Sequence, residues 1–203
     1  MVYTEFLERI QDPYRTAAKP VSMMPFYRLL VKPSPKTLEG AKKAAVLIHV
    51  YEAGEGLNVL YMKRPAYPGT HGGQVSFPGG RREERDVNFI QTALRESFEE
   101  VGLHSEEVNV LRALEPVYIP PSDFLVYPFV SYSSSVPELV LDPNEVDYTF
   151  TVPLDALLSG ELIGKAKVAT KFGKVKVPAY LWDEEVIWGA TAIITSRLVA
   201  LLS

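Results

Sequence analysis

Three carboxylates crowd the run Arg95-Glu96-Ser97-Phe98-Glu99-Glu100-Val101-Gly102-Leu103. Glu96, Glu99 and Glu100 are spaced i, i+3 and i+4, which on a helix brings all three to one side. Like charges at that spacing oppose an isolated helix by roughly 0.2 to 0.5 kcal/mol per pair, so something must compensate them. A hard divalent cation with oxygen ligands, Mg²⁺ or Mn²⁺, would do so; the alternative is that the glutamates only solvate the outer face of an amphipathic helix. Gly79-Gly80 upstream lets a backbone carbonyl or amide approach a metal or phosphate, and Arg95 is spaced to pair with Glu99. Lys63 and Arg64 close a strand-like run, where they either reach substrate phosphates or face solvent. His71 reads as a loop residue. The charge run Glu83-Glu84-Arg85-Asp86 reads as a solvated loop, with Asp86 placed to cap the helix that follows.

The carrier of the glutamates is a helix predicted over residues 88–101, because Ile90, Leu94, Phe98 and Val101 recur on the side opposite the carboxylates. Gly102 stands where a left-handed terminator belongs. Upstream, residues 45–51 and 57–62 flank Glu52-Ala53-Gly54-Glu55-Gly56 and predict a hairpin. A short strand is expected over 75–77, ended by Pro78-Gly79-Gly80 with two residues able to take positive φ. Further strands are expected over 117–119, 124–132 and 145–152, and helices over 153–158 and 191–202. The last helix carries the apolar stripe Ile193, Ile194, Leu198 and Leu201, seated by Trp188. Residues 1–43 form an N-terminal extension, a short helix over 3–10 and then irregular chain through Pro13, Pro20, Pro25, Pro33 and Pro35, packed on a main domain of 44–203. The mixed order of elements, without an internal repeat, predicts one layered structure of helices and strands.

At 203 residues, 47% hydrophobic and 23% charged, the chain can bury one substantial core. A net charge of −4 and a pI near 5.5 leave no general basic field, so nonspecific binding to nucleic acid or an anionic membrane is not expected, although a small anionic ligand can still meet a local basic patch. The absence of cysteine excludes disulfides, thiolate metal sites and thiol nucleophiles, and is compatible with a cytoplasmic location. Glu5, Glu8, Arg9, Asp12 and Arg15 interrupt any apolar core of a signal peptide, and residues 44–50 are far too short to span a membrane. A soluble protein is expected.

Gly80 followed by Arg95-Glu96-Ser97-Phe98-Glu99-Glu100-Val101-Gly102-Leu103 resembles the Nudix box, Gly-x5-Glu-x7-Arg-Glu-U-x-Glu-Glu-x-Gly-U with U apolar. One extra residue separates Gly80 from Arg95, Ser97 fills an apolar position, and Asp86 matches the first Glu. Leu60, Arg64, Gly73 and Phe77-Pro78-Gly79-Gly80, with His71-Gly72-Gly73-Gln74-Val75-Ser76 and Trp188-Gly189-Ala190-Thr191, are similar to coenzyme A pyrophosphatases within that family. The similarity spans residues 44–203. Gly69 stands where that subfamily carries Arg, and Pro65 where it carries Ser or Ala.

The resemblance implies an α+β fold, a Nudix-like α/β/α sandwich around a mixed sheet, and a metal-dependent hydrolase acting on a nucleoside diphosphate derivative. Coenzyme A or acyl-coenzyme A would yield 3′,5′-ADP and (acyl-)4′-phosphopantetheine; ADP-ribose or NADH is the alternative substrate. By the same resemblance Glu96 and Glu100 are the main metal ligands with Glu99 sharing, the Gly79 or Gly80 backbone completes the coordination, and Arg95 holds the carboxylates. Glu145, in Asp142-Pro143-Asn144-Glu145-Val146, is either the general base on a loop or a surface turn residue, with Glu96 or Glu99 as the fallback base. Tyr118, Phe124 and Tyr127 read as core aromatics or as stacking partners for adenine. A catalytically silent Nudix-fold binding module should lack acidic ligands, and all three glutamates are present. Homodimerisation is expected on family grounds alone.

Overall fold

The computed structural model describes residues 1–15, 20–24, 33–54, 56–67, 71–170 and 173–203. Its organising element is β1 (Lys42–Ala53), whose alternating side chains face two different cores. Ile48 and Val50 point into one cluster; Ala45 and Leu47 point into the other. β1 runs parallel to β7 (Phe124–Ser133) from Lys42 opposite Phe124 to Tyr51 opposite Ser133.

On its other edge β1 has two successive partners. The hairpin strand β2 (Gly56–Lys63) pairs with it only at residues 50–53, and β4 (Gly79–Arg81) takes over at Ala44, Ala45 and Val46. The sequence-based expectation that Pro78-Gly79-Gly80 merely ends a strand is therefore corrected: the short β3 (Val75–Ser76) stops first, and the glycines form a strand of their own against β1. Beyond β1, β2 continues antiparallel to β3 and to β8 (Tyr148–Pro153). β5 (Asn109–Ala113) and β6 (Val117–Ile119) complete this mixed sheet against the far edge of β7. A second antiparallel sheet consists of β9 (Ile163–Thr170), β10 (Gly173–Trp182) and β11 (Glu185–Trp188).

Helices cover both faces of the large sheet, giving an α+β architecture. On one side lie α1 (Tyr3–Gln11) and the C-terminal helix, which runs from Gly189 to Leu202; Phe6, Ile10, Ile193, Leu198 and Leu201 join Val59, Tyr61 and Val130 in one core. Between them in sequence come α2 (Pro35–Gly40), capped by the Ser34 side chain, α3 (Phe89–Val101) and α4 (Leu154–Ser159), which makes the C-terminal helix α5. The other side of the sheet carries α3, whose Ala93 and Val101 meet Ala45, Leu47 and Phe129.

The predicted buried stripe of α3 is wrong at two positions: Ile90 is 37% and Phe98 49% exposed, while Thr92, Ala93, Ser97, Glu100 and Val101 are buried. The helix lies close on β1 and β4, where small side chains fit and larger ones do not. Ser97 is tolerated inside because its hydroxyl donates to Ala93 O at 2.7 Å. The strand expected over 145–152 begins later, at Tyr148, and leaves Glu145 in a turn.

Candidate active site

The glutamate helix is fixed at both ends by local chemistry. Asn88 Oδ1 accepts from Gln91 N at 2.9 Å, and Gly102 ends the helix at φ 73°. Asn88, not Asp86, is the cap. With Ala93 and Ser97 against β1, Glu96 and Glu100 lie over β4, while Glu99 stays largely in solvent.

The two glycines of β4 serve this approach differently. Gly79 has φ 143°, and a Cβ there would stand 2.3 Å from Ala45 O, so the backbone itself requires glycine. Gly80 needs space instead of freedom: a Cβ would lie 2.2 Å from Glu96 Oε2. The missing side chain is the room in which the Glu96 carboxylate sits.

Glu100 is the most enclosed of the three. Its Oε2 accepts from Gly79 N at 2.7 Å and its Oε1 pairs with Arg64 Nη2 at 3.1 Å; the same Nη2 lies 3.4 Å from Gly79 O. Burial pushes its carboxyl up to about 8, against the pull of Arg64 and Gly79 N–H and with added repulsion from Glu145 and Glu96. Glu96 is likewise raised by burial, opposed by Arg95 and reinforced by the charges of Glu99 and Glu145. Glu145 thus shares an electrostatic neighbourhood with both. It is brought there by a backbone clamp in which Val140 N donates to Val101 O and Asp142 N to Glu100 O, both at 3.0 Å, with Val146 buried beneath the turn.

Arg95 gathers the remaining charge. It binds Asp86 through Nε–Oδ1 and Nη2–Oδ2, both 2.9 Å, and reaches Glu96 at 2.9 Å, Glu99 at 2.8 Å and Arg81 O at 3.0 Å. Asp86, read from sequence as part of a solvated run, is only 4% exposed and also accepts from Glu83 N and Thr92 Oγ1. Arg95 holds its carboxyl far below the usual carboxylate range. Only its alignment with the first Glu of the box hinted at this role. Arg85, at 3.1 Å from Glu99, is a second cation that sequence reasoning passed over.

Lys63 is engaged elsewhere: its Nζ pairs at 2.6 Å with Glu185 of β11, which also accepts from Tyr148 OH. His71 meets Gln74 in its own loop. Tyr127 stacks on Phe89 of α3 at 3.9 Å, and Tyr118 donates to Asp123, so neither is turned to the glutamates. Gly69 lies outside the described residues.

Among the described residues no three acidic or imidazole side chains already converge as ligands on one point. The donor set nevertheless fits a hard divalent cation: all oxygen, two carboxylates raised by burial and by the charge of neighbouring carboxylates, and a glycine cradle beside Glu96. A dication would relieve the repulsion that Arg64 and Arg95 offset only in part.

Comparison with known proteins places this geometry in context. The family described as NUDIX domain matches residues 41–172. Nudix hydrolase 3 of Caenorhabditis elegans is 31% identical over 177 residues, 78% of this chain and 72% of the relative. The Nudix hydrolase NudL of Photorhabdus laumondii is 34% identical over 173 residues, covering 85% and 91%. The human mitochondrial coenzyme A diphosphatase NUDT8 is 33% identical over 180 residues, covering 87% and 76%.

Proposed function

The chain belongs to the Nudix hydrolase family, and from that premise we propose that it cleaves the diphosphate of coenzyme A or acyl-coenzyme A to 3′,5′-ADP and (acyl-)4′-phosphopantetheine, with Mg²⁺ or Mn²⁺. The observation that carries the reading is the pair Glu96 and Glu100 over the Gly79-Gly80 strand, with Arg64 on Glu100 and Arg95 joining Glu96 to the more exposed Glu99. The coenzyme A part draws on the likeness to relatives named as coenzyme A diphosphatases and on the run from Leu60 to Gly80.

A diphosphate brings negative charge to both phosphorus centres, and its hydrolysis needs that charge neutralised and a water deprotonated. Glu96 and Glu100, with Glu99 sharing, are the side chains that would hold the cation, beside the Gly79 and Gly80 backbone. When bound, the cation supplies charge neutralisation and a more acidic water. Arg95 keeps Glu96 and Glu99 in place by drawing on the buried Asp86. Glu145 is exposed on its turn and within electrostatic reach of Glu96 and Glu100, so we assign it the water's proton. Arg64 is the cation assigned to substrate phosphate: its Nη2 already lies beside Glu100 in the site with guanidinium donors to spare, whereas Lys63 is held by Glu185 of β11.

Gly69, where the subfamily carries Arg, favours a second reading of the same chemistry on ADP-ribose or NADH. The test is product analysis with the metal and, separately, coenzyme A, 3′-dephospho-coenzyme A, ADP-ribose and NADH. Preferred release of 3′,5′-ADP supports the first reading. Preference for ADP-ribose or NADH replaces it with the second, and no turnover of any of the four removes both.

A further inference from the structure

Net charge conceals a segregated basic surface. Residues 162–182 contain five lysines, Lys165, Lys167, Lys171, Lys174 and Lys176, and no aspartate or glutamate, in a chain whose net charge is −4. Lys171 lies outside the described residues. The other four sit on the β9–β10 ribbon, where Lys176 is directly opposite Lys167, Lys174 opposite Ala169 and Lys165 opposite Pro178. Alternation therefore brings all four to one face. Ala166, Val168, Val175 and Val177 belong to the other face, on which Val168 and Val177 are buried.

The four lysines are exposed, and among the described residues none has a carboxylate partner. Fold requirements explain only half of them. Lys165 and Lys167 lie on β9, which ends its sheet, and lysine on an edge strand blocks unwanted pairing. Lys174 and Lys176 lie on the middle strand, where that protection is not needed, and a like-charged pair directly opposite opposes strand association.

We propose that this face is a docking surface for an anionic lipid bilayer. A two-stranded face can present all four ammonium groups to a plane at once. Lysine, a mobile and strongly hydrated point charge, suits diffuse headgroup charge, whereas fixed bidentate recognition favours arginine, and the segment has none. Among the described residues, Ala169 and Pro178 fill the positions between the lysines and the next residue along this face, Tyr180, is buried, so none of these offers a ring to stack a nucleobase. Ile163, 37% exposed and in alternation with Lys165 and Lys167 at the base of the ribbon, adds apolar surface next to the charge. Among the described residues no helix is long and apolar enough to cross a membrane, and the attachment proposed is a peripheral one through the lysine face.

The test is co-sedimentation of the full chain with phosphatidylcholine vesicles and with phosphatidylcholine vesicles containing about one third phosphatidylserine. Binding to the second alone, weakening as salt rises, is the expected result. Lys167→Gln/Lys176→Gln should weaken it roughly 25-fold, about fivefold per lysine, with a melting temperature no lower than the parent's, because an opposed like-charged pair is removed, and unchanged hydrolysis of a water-soluble substrate. The proposal does not depend on which substrate is cleaved. Equal binding to both vesicles, full binding by the double variant, or tighter binding to duplex DNA, single-stranded RNA or polyglutamate than to the anionic vesicles would each overturn it.

Discussion

Asp86 and Arg95 make a two-point ion pair, Nε–Oδ1 and Nη2–Oδ2 each at 2.9 Å, beneath a loop whose neighbouring charges are in solvent. The pair joins the loop that follows β4 to the helix that carries the glutamates. Arg95 spends its remaining donors on Glu96, Glu99 and Arg81 O, so the position of two carboxylates depends on a third that touches neither.

Replacing Asp86 by Asn should therefore act through Arg95. The largely covered guanidinium loses its one fully buried counter-charge and keeps only Glu96 and Glu99, and the expected cost is about 3 kcal/mol in urea unfolding. Turnover should fall roughly 10- to 100-fold, chiefly in kcat, with weaker activation by Mg²⁺. Unchanged stability and metal dependence would show that Asp86 is not the anchor.

Alanine at the two glycines of β4 should separate function from folding. In Gly80→Ala the new methyl meets the end of the Glu96 side chain, which can swing away, so stability changes by less than about 1 kcal/mol while turnover drops on the order of 10²-fold. In Gly79→Ala the methyl meets the β1 backbone at a φ of 143°, and the fold itself should lose about 3 kcal/mol. Melting curves and turnover measured on both variants check the contrast; similar effects of the two would contradict it.

The same helix marks what a sequence can reveal. Its span and Gly102 terminator were readable because they are local, and so were the β1–β2 hairpin and the last helix. Its buried face was not. Ile90 and Phe98 look like core by period, but the distance to β1 selects Ala93 and Ser97. The pairing of Gly79, Gly80 and Arg81 with Ala44–Ala45–Val46, and the ion pair of Lys63 with Glu185, join residues distant in sequence, and neither leaves a local signal. Asp86 was misassigned because a charge run looks solvated until Arg95 is placed beside it.

Glu100→Gln should uncouple metal dependence from folding. Without a cation the buried carboxyl, pushed up to about 8, already favours its protonated form at neutral pH, and the amide imitates that form. Metal-free stability should stay within about 1 kcal/mol of the parent. Turnover with Mg²⁺ or Mn²⁺ should fall at least 10²-fold, to about the level of the parent in excess chelator. Mn²⁺ should raise the melting temperature of the parent and leave that of the variant unchanged. Full activity in this variant would remove Glu100 from the ligand set.

His49 supplies a pH dependence separate from that site. It is fully buried between β1 and β7, with Nδ1 3.0 Å from Ser131 Oγ and Nε2 3.1 Å from Ser133 Oγ, and burial lowers its pKa from 6.5 to about 4. Two hydroxyls and no carboxylate are bonded to the ring, so its charged form lacks a counter-ion there. At this residue the folded state thus binds fewer protons than the unfolded state between these values, and its contribution to stability rises with pH across that window. The contribution is complete above about pH 6.5 and is lost as pH falls through about 4, a change of about 3 kcal/mol for the full shift. The raised Glu100 carboxyl opposes this slope above about pH 4.5, so the measurement is the difference in urea unfolding between the parent and His49→Gln, which cannot titrate: the parent's advantage at neutral pH should shrink as pH falls toward 4. A variant that keeps the parent's slope would assign the acid sensitivity to other groups.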